Sequence, residues 1–369
     1  MIELILIIIF LSYVIIVFGA ALGIQKISTR VHEANAKNTH FSLLIPFRNE
    51  AHHLSNLLSS LEKLDYPKTD FEIILINDSS EDEYLHQIKP FISILELKLI
   101  DLENYTGKKR ALEAGIRKSQ FDYIITLDAD CIVPENLLQS YSKLIKSENS
   151  DFIIGSVNLS YSSQFIQKFQ FLDFLAMQGV GFGWANLNYP ILCSGANLCY
   201  SKSVFLELNP FDDNWDIPSG DDIFTLLSFK KSQKKISTNL EAVVISKSLI
   251  DWKSVYQQRK RWLSKNSKLK DSFYTLVSLI IFITNACLLV LIGLSFFNIA
   301  WLEYWFIGFV LKFLFDYYLL YQIAYHLKQF FCWQDILKVS LIYPLVLVYT
   351  ILSSVNLKYI WKNRIYNGN

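Results

Sequence analysis

Several residues of this chain have the types and spacing to do chemistry. Asp128 and Asp130, one residue apart in Asp128-Ala129-Asp130, end the apolar run Tyr123-Ile124-Ile125-Thr126-Leu127. Carboxylates at a strand end suit a hard divalent cation such as Mg²⁺ or Mn²⁺, which takes oxygen ligands and keeps positions open for substrate phosphates. The chemistry implied is metal-assisted handling of a diphosphate. The competing reading is a turn before Pro134, because aspartate favours turns in its own right. Asp221 and Asp222 follow Gly220 at a helix start, as a capping arrangement or as a catalytic base held at a fixed angle. Capping explains one of them and does not require two.

Two further positions carry the same kind of ambiguity. In Thr106-Gly107-Lys108-Lys109-Arg110 three cations open a helix, where the dipole favours anions, so phosphate near Lys108 is one reading and solvated surface charge the other. Asp78, after a β-rich run, is placed to accept from a nucleobase or ribose, or to cap the next helix. His52-His53 is a poor metal pair, since adjacent helical residues do not face together as i and i+4 residues do. The five cysteines are scattered without C-x-x-C spacing, which points to neither a disulfide framework nor zinc and suits a reducing, cytosolic side.

The elements that must position these groups read as an α/β scaffold. Short apolar runs at 41–45, 71–76, 97–102, 123–130 and 152–159 alternate with helical patterns at 50–64 and 135–146, as βαβ units and a largely parallel sheet do. In the first helix Leu54, Leu57, Leu58 and Leu61 recur at helical spacing. Ligands of such sheets collect beyond the carboxyl ends of the strands, where Asp78 and the Asp128-Asp130 pair would lie. Residues 164–184 form a long aromatic helix with only Lys168 and Asp173 charged, either at a membrane interface or in the core. Cys193-Ser194-Gly195-Ala196-Asn197 is a small-residue turn that lets a ligand approach the backbone.

Part of the chain belongs in lipid. Of 369 residues 52% are hydrophobic and 15% aromatic, and the net charge of +1 conceals charge gathered between positions 25 and 271. Residues 2–24 are long enough to cross a bilayer and lack a cleavage site, so they read as an uncleaved anchor rather than a buried soluble helix. Lys26 and Arg30 behind it put the N-terminus outside and the central domain in the cytoplasm. The basic stretch 251–270, with Trp252, Tyr256 and Trp262, suits a membrane surface better than nucleic acid, because an apolar segment follows it directly. Stretches 273–298, 302–325 and 336–357 are of spanning length, and Lys312 and Asp316 in the second are spaced to neutralise one another. Three spans would leave the C-terminus outside, whereas Lys358, Lys362 and Arg364 favour the inside. Two to three C-terminal spans are therefore expected.

Seven motifs, in this order, resemble the membrane-bound family 2 glycosyltransferases: Ile45-Pro46-Phe47-Arg48-Asn49-Glu50, Asn77-Asp78, Gly107-Lys108, Asp128-Ala129-Asp130, Ser194-Gly195-Ala196-Asn197, Gly220-Asp221-Asp222 and Gln258-Arg259-Lys260-Arg261-Trp262. The flanking apolar layout looks like that of cellulose-synthase-like, hyaluronan-synthase-like and ceramide-glucosyltransferase-like members. The resemblance implies an anchor at 1–25, a GT-A domain with a Rossmann-like mixed sheet at 40–250, an interfacial basic helix at 251–271 and a transmembrane region at 272–360. It implies inverting transfer of a sugar, from a UDP-sugar by preference, to a hydroxyl of a lipid, oligosaccharide or polysaccharide.

Residue by residue, the motif matches imply that Asp78 holds the uracil and ribose with Pro46 and Glu50 shaping the pocket, that Lys108 binds the nucleotide, and that Asp128 contacts the donor. Asp130 would ligate Mg²⁺ or Mn²⁺, and Asp222 would be the general base. Gly195 and Asp221 would face the acceptor, and Gln258, Arg261 and Trp262 would close over pyrophosphate and acceptor. Where Asp221 stands the family often has Glu, and the shorter side chain leaves its role open. The expected location is the plasma membrane with the catalytic domain inside. A processive polysaccharide synthase is the alternative. A nucleotide-sugar sensor is another, against which the retained acids speak, because a binding module needs no base. A transporter would have no evident use for the central domain.

Overall fold

The computed structural model describes residues 2–26, 39–103, 105–265, 268–354, 358–361 and 364–367. Its centre is a seven-stranded sheet in the order β3-β2-β1-β4-β6-β5-β7. The strands are β1 (Phe41–Phe47), β2 (Phe71–Asn77), β3 (Lys98–Asp101), β4 (Tyr123–Leu127), β5 (Phe152–Leu159), β6 (Asn197–Ser201) and β7 (Ile236–Ser246). All neighbours run parallel except β6, which is antiparallel to β4 and β5. β1 and β5 are buried along their whole length, as strands covered on both faces must be.

The reversed strand matters for the site. Because β6 runs against β4 with Leu127 opposite Asn197, the turn that opens β6 lies beside the carboxyl end of β4. Gly195 and the Asp128-Asp130 pair thus reach the same sheet edge. The strand expected to run to Asp130 ends at Leu127, and the Cys131 amide closes a turn on the Asp128 carbonyl at 3.2 Å. The acids thus form a turn, as the competing reading had it, and the same turn stands at the edge where Gly195 lies. Strands β6 and β7 carry no counterpart in the sequence reading.

Helices α2 (Ala51–Leu61), α3 (Tyr84–Ile88), α4 (Lys108–Lys118) and α5 (Leu137–Glu148) connect the first strands, and Leu54, Leu57, Leu58 and Leu61 of α2 are all buried. Next come α6 (Phe165–Asn186), α7 (Lys202–Leu208), α8 (Asp221–Lys231) and α9 (Trp252–Leu263). Among the described residues four helices are long and apolar enough to cross a membrane: α1 (Ile2–Gln25), α10 (Ser272–Ser295), α11 (Ala300–His326) and α12 (Trp333–Ser353). Their outer faces expose large apolar side chains such as Ile7, Leu11, Val290, Phe306 and Leu345, as lipid-facing surfaces do.

The long aromatic helix turns out to be core. A Cβ placed on Gly183 of α6 would stand 2.0 Å from the Ala20 carbonyl oxygen, and one on Gly23 of α1 would stand 1.9 Å from the Gly183 carbonyl oxygen. The two helices cross backbone against backbone, which only glycine permits. α6 also packs on α11, where a Cβ on Gly179 would lie 3.1 Å from Leu319. It therefore joins the sheet to the membrane helices.

Lys312 and Asp316 pair as their spacing predicts, with Nζ 2.5 Å from Oδ2, and Tyr13 of α1 donates to the same carboxylate at 2.6 Å. α12 is tied to the sheet domain at both ends. Near its start Asp335 accepts from Lys168 and Tyr161, each at 2.8 Å, and at its end Ser353 accepts from Tyr256 at 3.0 Å. A short hairpin, β8 (Lys358–Trp361) with β9 (Arg364–Asn367), follows. Arg30 and Lys362, on which part of the sidedness expectation rests, lie outside the described residues, as does the stretch 355–357 that ends the last expected span.

Candidate active site

The starts of α4 and α8, the last turns of α9 and the carboxyl end of β4 meet at one cavity of about 370 Å³. Lys108, first residue of α4, sits 2.7 Å from Asp128 Oδ1 and 3.0 Å from Asp221 Oδ2. Burial alone would lower its pKa, but the two carboxylates outweigh that and hold it above the ordinary lysine value, so it stays charged. Gly195 makes this cluster possible: a Cβ there would stand 2.9 Å from Asp221 Oδ2 and 3.0 Å from Lys108 Nζ. The small residue at this turn makes room for the protein's own charges.

The acids of α8 are aimed by Gly220, whose φ of +94° is a left-handed conformation that side-chain-bearing residues rarely adopt. Asp222 Oδ1 accepts from Lys265 at 2.9 Å and from the Ile223 amide at 2.7 Å. Burial pushes the Asp222 carboxyl up, and Lys265 overrides it and holds the group below the usual carboxylate range. Among the described residues Asp130 has no such cation. Its Oδ2 accepts from Ser246 at 3.2 Å, and burial, with the charges of Asp128 and Glu50, pushes its pKa up to about 6.

Nine residues expected at the site line this cavity together: Lys108, Asp128, Asp130, Gly195, Asp221, Asp222, Gln258, Arg261 and Trp262. Pro46, Glu50 and Asp78 stand outside its wall. Pro46 lies in β1 opposite Ile76, and Glu50 precedes α2. Asp78 is buried and accepts from the Gly107 amide at 2.9 Å, so it fixes the turn before Lys108 rather than capping the helix next in sequence. The rings of His52 and His53 are 3.9 Å apart, and with Glu50 their ligand atoms fall within 4.8 Å of one another, closer than adjacency on a regular helix suggests. Asn197 faces away from the acids, donating to Ser156 O at 2.8 Å and accepting from Tyr141 at 2.6 Å in the core.

The other two cations at the start of α4 are not loose surface charges. Lys109 is buried, donates to the Asn214 carbonyl at 2.7 Å and stands 4.5 Å above the Phe224 ring, and burial lowers its pKa to about 8. Arg110 stacks 3.5 Å over Trp215. Both hold the loop that leads to Gly220.

Sequence reasoning missed Lys265, Ser246 and the ion pair between Arg259 and Asp173, all on the cavity wall. Lys265 had a signal, because Gln258, Arg261, Trp262 and Lys265 recur at helical spacing along one face. Arg259 also lies 4.2 Å over the Trp262 ring. Ser246 and Asp173 had no local signal, since strand pairing and helix crossing bring them in.

Two family models match the chain. Residues 42–195 match the model described as glycosyl transferase family 2, and residues 123–357 match that described as glycosyl transferase family group 2, the latter spanning more than half of the chain. The chain belongs to glycosyltransferase family 2. Curated proteins similar to this family 2 glycosyltransferase include the poly(ribitol-phosphate) β-N-acetylglucosaminyltransferase TarS of Staphylococcus aureus, 28% identical over 31% of this chain and 20% of its own. The poly-β-1,6-N-acetyl-D-glucosamine synthase of Staphylococcus epidermidis is 29% identical over 37% of this chain and 33% of its own. The chain thus matches a third or less of these relatives' length. Among solved structures, the mannosyltransferase PcManGT from Pyrobaculum calidifontis, in complex with GDP-Man and Mn²⁺, shares the fold with a TM-score of 0.54 at 14% identity, over 95% of this chain and 98% of its own.

Proposed function

We propose that this glycosyltransferase moves a sugar, with inversion at the anomeric carbon, from a nucleoside-diphosphate sugar to a hydroxyl of a membrane-associated acceptor. The observation that carries the reading is the convergence of Lys108, Asp130 and Asp222 on one cavity walled by Gln258, Arg261 and Trp262. The names of both curated relatives support N-acetylglucosamine as the first sugar to test on the donor.

An alcohol is a poor nucleophile near neutral pH, so a carboxylate must take its proton as the new C–O bond forms. Asp222 has that role; Lys265 and the Ile223 amide bind Oδ1, which leaves Oδ2 for the acceptor. As the bond to the diphosphate breaks, charge on the leaving group is stabilised by Lys108 and Arg261. Asp128 orients Lys108 and contacts the donor, while Asp221 holds Lys108 from the acceptor side. Asp130, beside Asp128, fits a divalent cation chemically, since both acids are hard oxygen donors and Asp130 is buried with no cationic partner among the described residues. Mg²⁺ or Mn²⁺ bound there would supply Lewis-acid neutralisation of the diphosphate. Pro46, Glu50 and Asp78 form the nucleoside end of the donor site.

The domain works on the cytoplasmic face of the plasma membrane, with the N-terminus outside. The two-ended attachment of α12 supports a layout in which α1, α10 and α11 cross and α12 lies along the interface, so that the C-terminus returns to the domain's side. Asp222→Asn tests the chemistry: nucleotide binding by calorimetry should persist and transfer should fall by about 10²–10⁴-fold, the usual worth of a general base. Near wild-type turnover would remove Asp222 from that role. A processive synthase is the second reading, favoured by the name of one relative. Mass spectrometry of the products separates single addition from polymer.

A further inference from the structure

We infer that the cavity between the membrane helices holds the hydrocarbon chain of the acceptor, which makes the acceptor a lipid alcohol. The inference rests on Asp222 as the base and goes beyond it by naming the substrate class.

A second cavity, of about 260 Å³, lies among α1, α6, α10, α11 and α12. Its wall is predominantly apolar, with Val17, Val180, Ile281, Leu320 and Val339 contributed by one helix each. It adjoins the catalytic cavity: Asp173, Met177, Tyr343 and Leu347 line both. α12 is the common wall, with Ile336, Val339 and Ser340 on the apolar cavity alone and Tyr343, Leu347 and Ile351 on both. An extended molecule lying along that stripe would have one end among hydrocarbon side chains and the other in the cavity that Asp222 lines.

The chemistry of the wall selects the occupant. A sugar polymer carries hydroxyls that need partners, and burying them against such walls leaves them unpaired, whereas a hydrocarbon chain loses nothing there. The charged groups that reach the cavity are already matched, since Lys312 and Asp316 neutralise one another, Tyr13 donates to Asp316 and Asp173 pairs with Arg259. The reacting end follows from the base. An ionised phosphate has no proton to give up, while a hydroxyl does, and Asp222 is placed to receive one. In the step itself the lipid oxygen bonds to the anomeric carbon, its proton passes to Asp222, and the bond to the diphosphate breaks with its electron pair on the leaving oxygen.

The test uses the full chain in nanodiscs with a diacylglycerol carrying a diazirine in one acyl chain. Saturable labelling of the Val277, Ile281 and Val339 regions, competed by unlabelled diacylglycerol, is expected. Ala176→Phe and Ser340→Phe fill the apolar cavity without lining the catalytic one; each should cut labelling, and raise the KM for diacylglycerol, at least tenfold. Leu341→Phe, on the exposed face of α12, should change neither. Should the filled variants fail to fold, wild-type labelling decides alone. Unsaturable labelling spread over the outer faces of the helices would overturn the inference, as would folded variants with an unchanged KM. Consumption of polyprenyl phosphate but no lipid alcohol would overturn its hydroxyl half. Labelling as expected with no nucleotide sugar consumed would sink the transfer reading and leave the lipid site standing.

Discussion

Lys265 sets the behaviour of Asp222. Lys265 holds the Asp222 carboxyl below its usual range against the upward push of burial. Removing that cation with Lys265→Met leaves burial to dominate, so the acidic limb of the kcat/KM profile should move to higher pH; a limb that stays put would uncouple the two residues. Asp130 gives the opposite sign. Its pKa of about 6 lies above the ordinary carboxylate value, so between that value and 6 the metal-free protein gains stability from this group as pH falls and loses it as pH rises through 6. Metal affinity runs the other way, because below 6 an ion must displace the proton. Mn²⁺ calorimetry should show weaker binding at pH 5 than at pH 7.5, and Asp130→Asn should abolish binding at both. The acids were legible from sequence because they stand in short motifs at element ends. Asp173 and Ser246 were not, because only tertiary contacts bring them to the wall.

Among the elements, α6 departs furthest from a reading of the sequence. Its nearly continuous apolar surface gave no single face, because it packs on the sheet, on α1 and on α11 at once. Substitution at its closest contact tests this: Gly183→Val places side-chain atoms against the Ala20 backbone and should cost about 1–3 kcal/mol or more, since helices cannot separate there without losing their packing. Thermal unfolding in detergent measures it, and an unchanged midpoint would mean that the helices do not cross as described. Strands β1, β2, β4 and β5 were readable as short apolar runs, whereas β6 hid behind a turn of small residues. β7 spreads its apolar positions among polar ones, with Ser237, Asn239 and Glu241 between, so it lacked the continuous run of the central strands.

For the molecule as a whole, the attachment of α12 bears on sidedness. A tag after Asn369 should be protected from external protease in intact cells and should become cleavable only when the membrane is permeabilised, whereas a tag before Met1 should be cleaved from outside. A C-terminal tag cleaved in intact cells would mean that α12 crosses. The four apolar helices were plain in the sequence by length and hydropathy. Their arrangement around α6 was not, because it depends on contacts between residues far apart in the chain.

That arrangement bears on biogenesis. α6 leaves the ribosome well before α11, yet Leu319 and Ile323 of α11 complete the packing around Gly179. The catalytic sheet must therefore wait, with one helix still presenting apolar surface, until the later helices enter the bilayer. A fragment cut to residues 40–250 would keep that surface open permanently, and aggregation is the fate such exposed intermediates share. Supplying residues 272–354 as a separate chain in the same membrane, together with the anchor, is the natural way to rescue it.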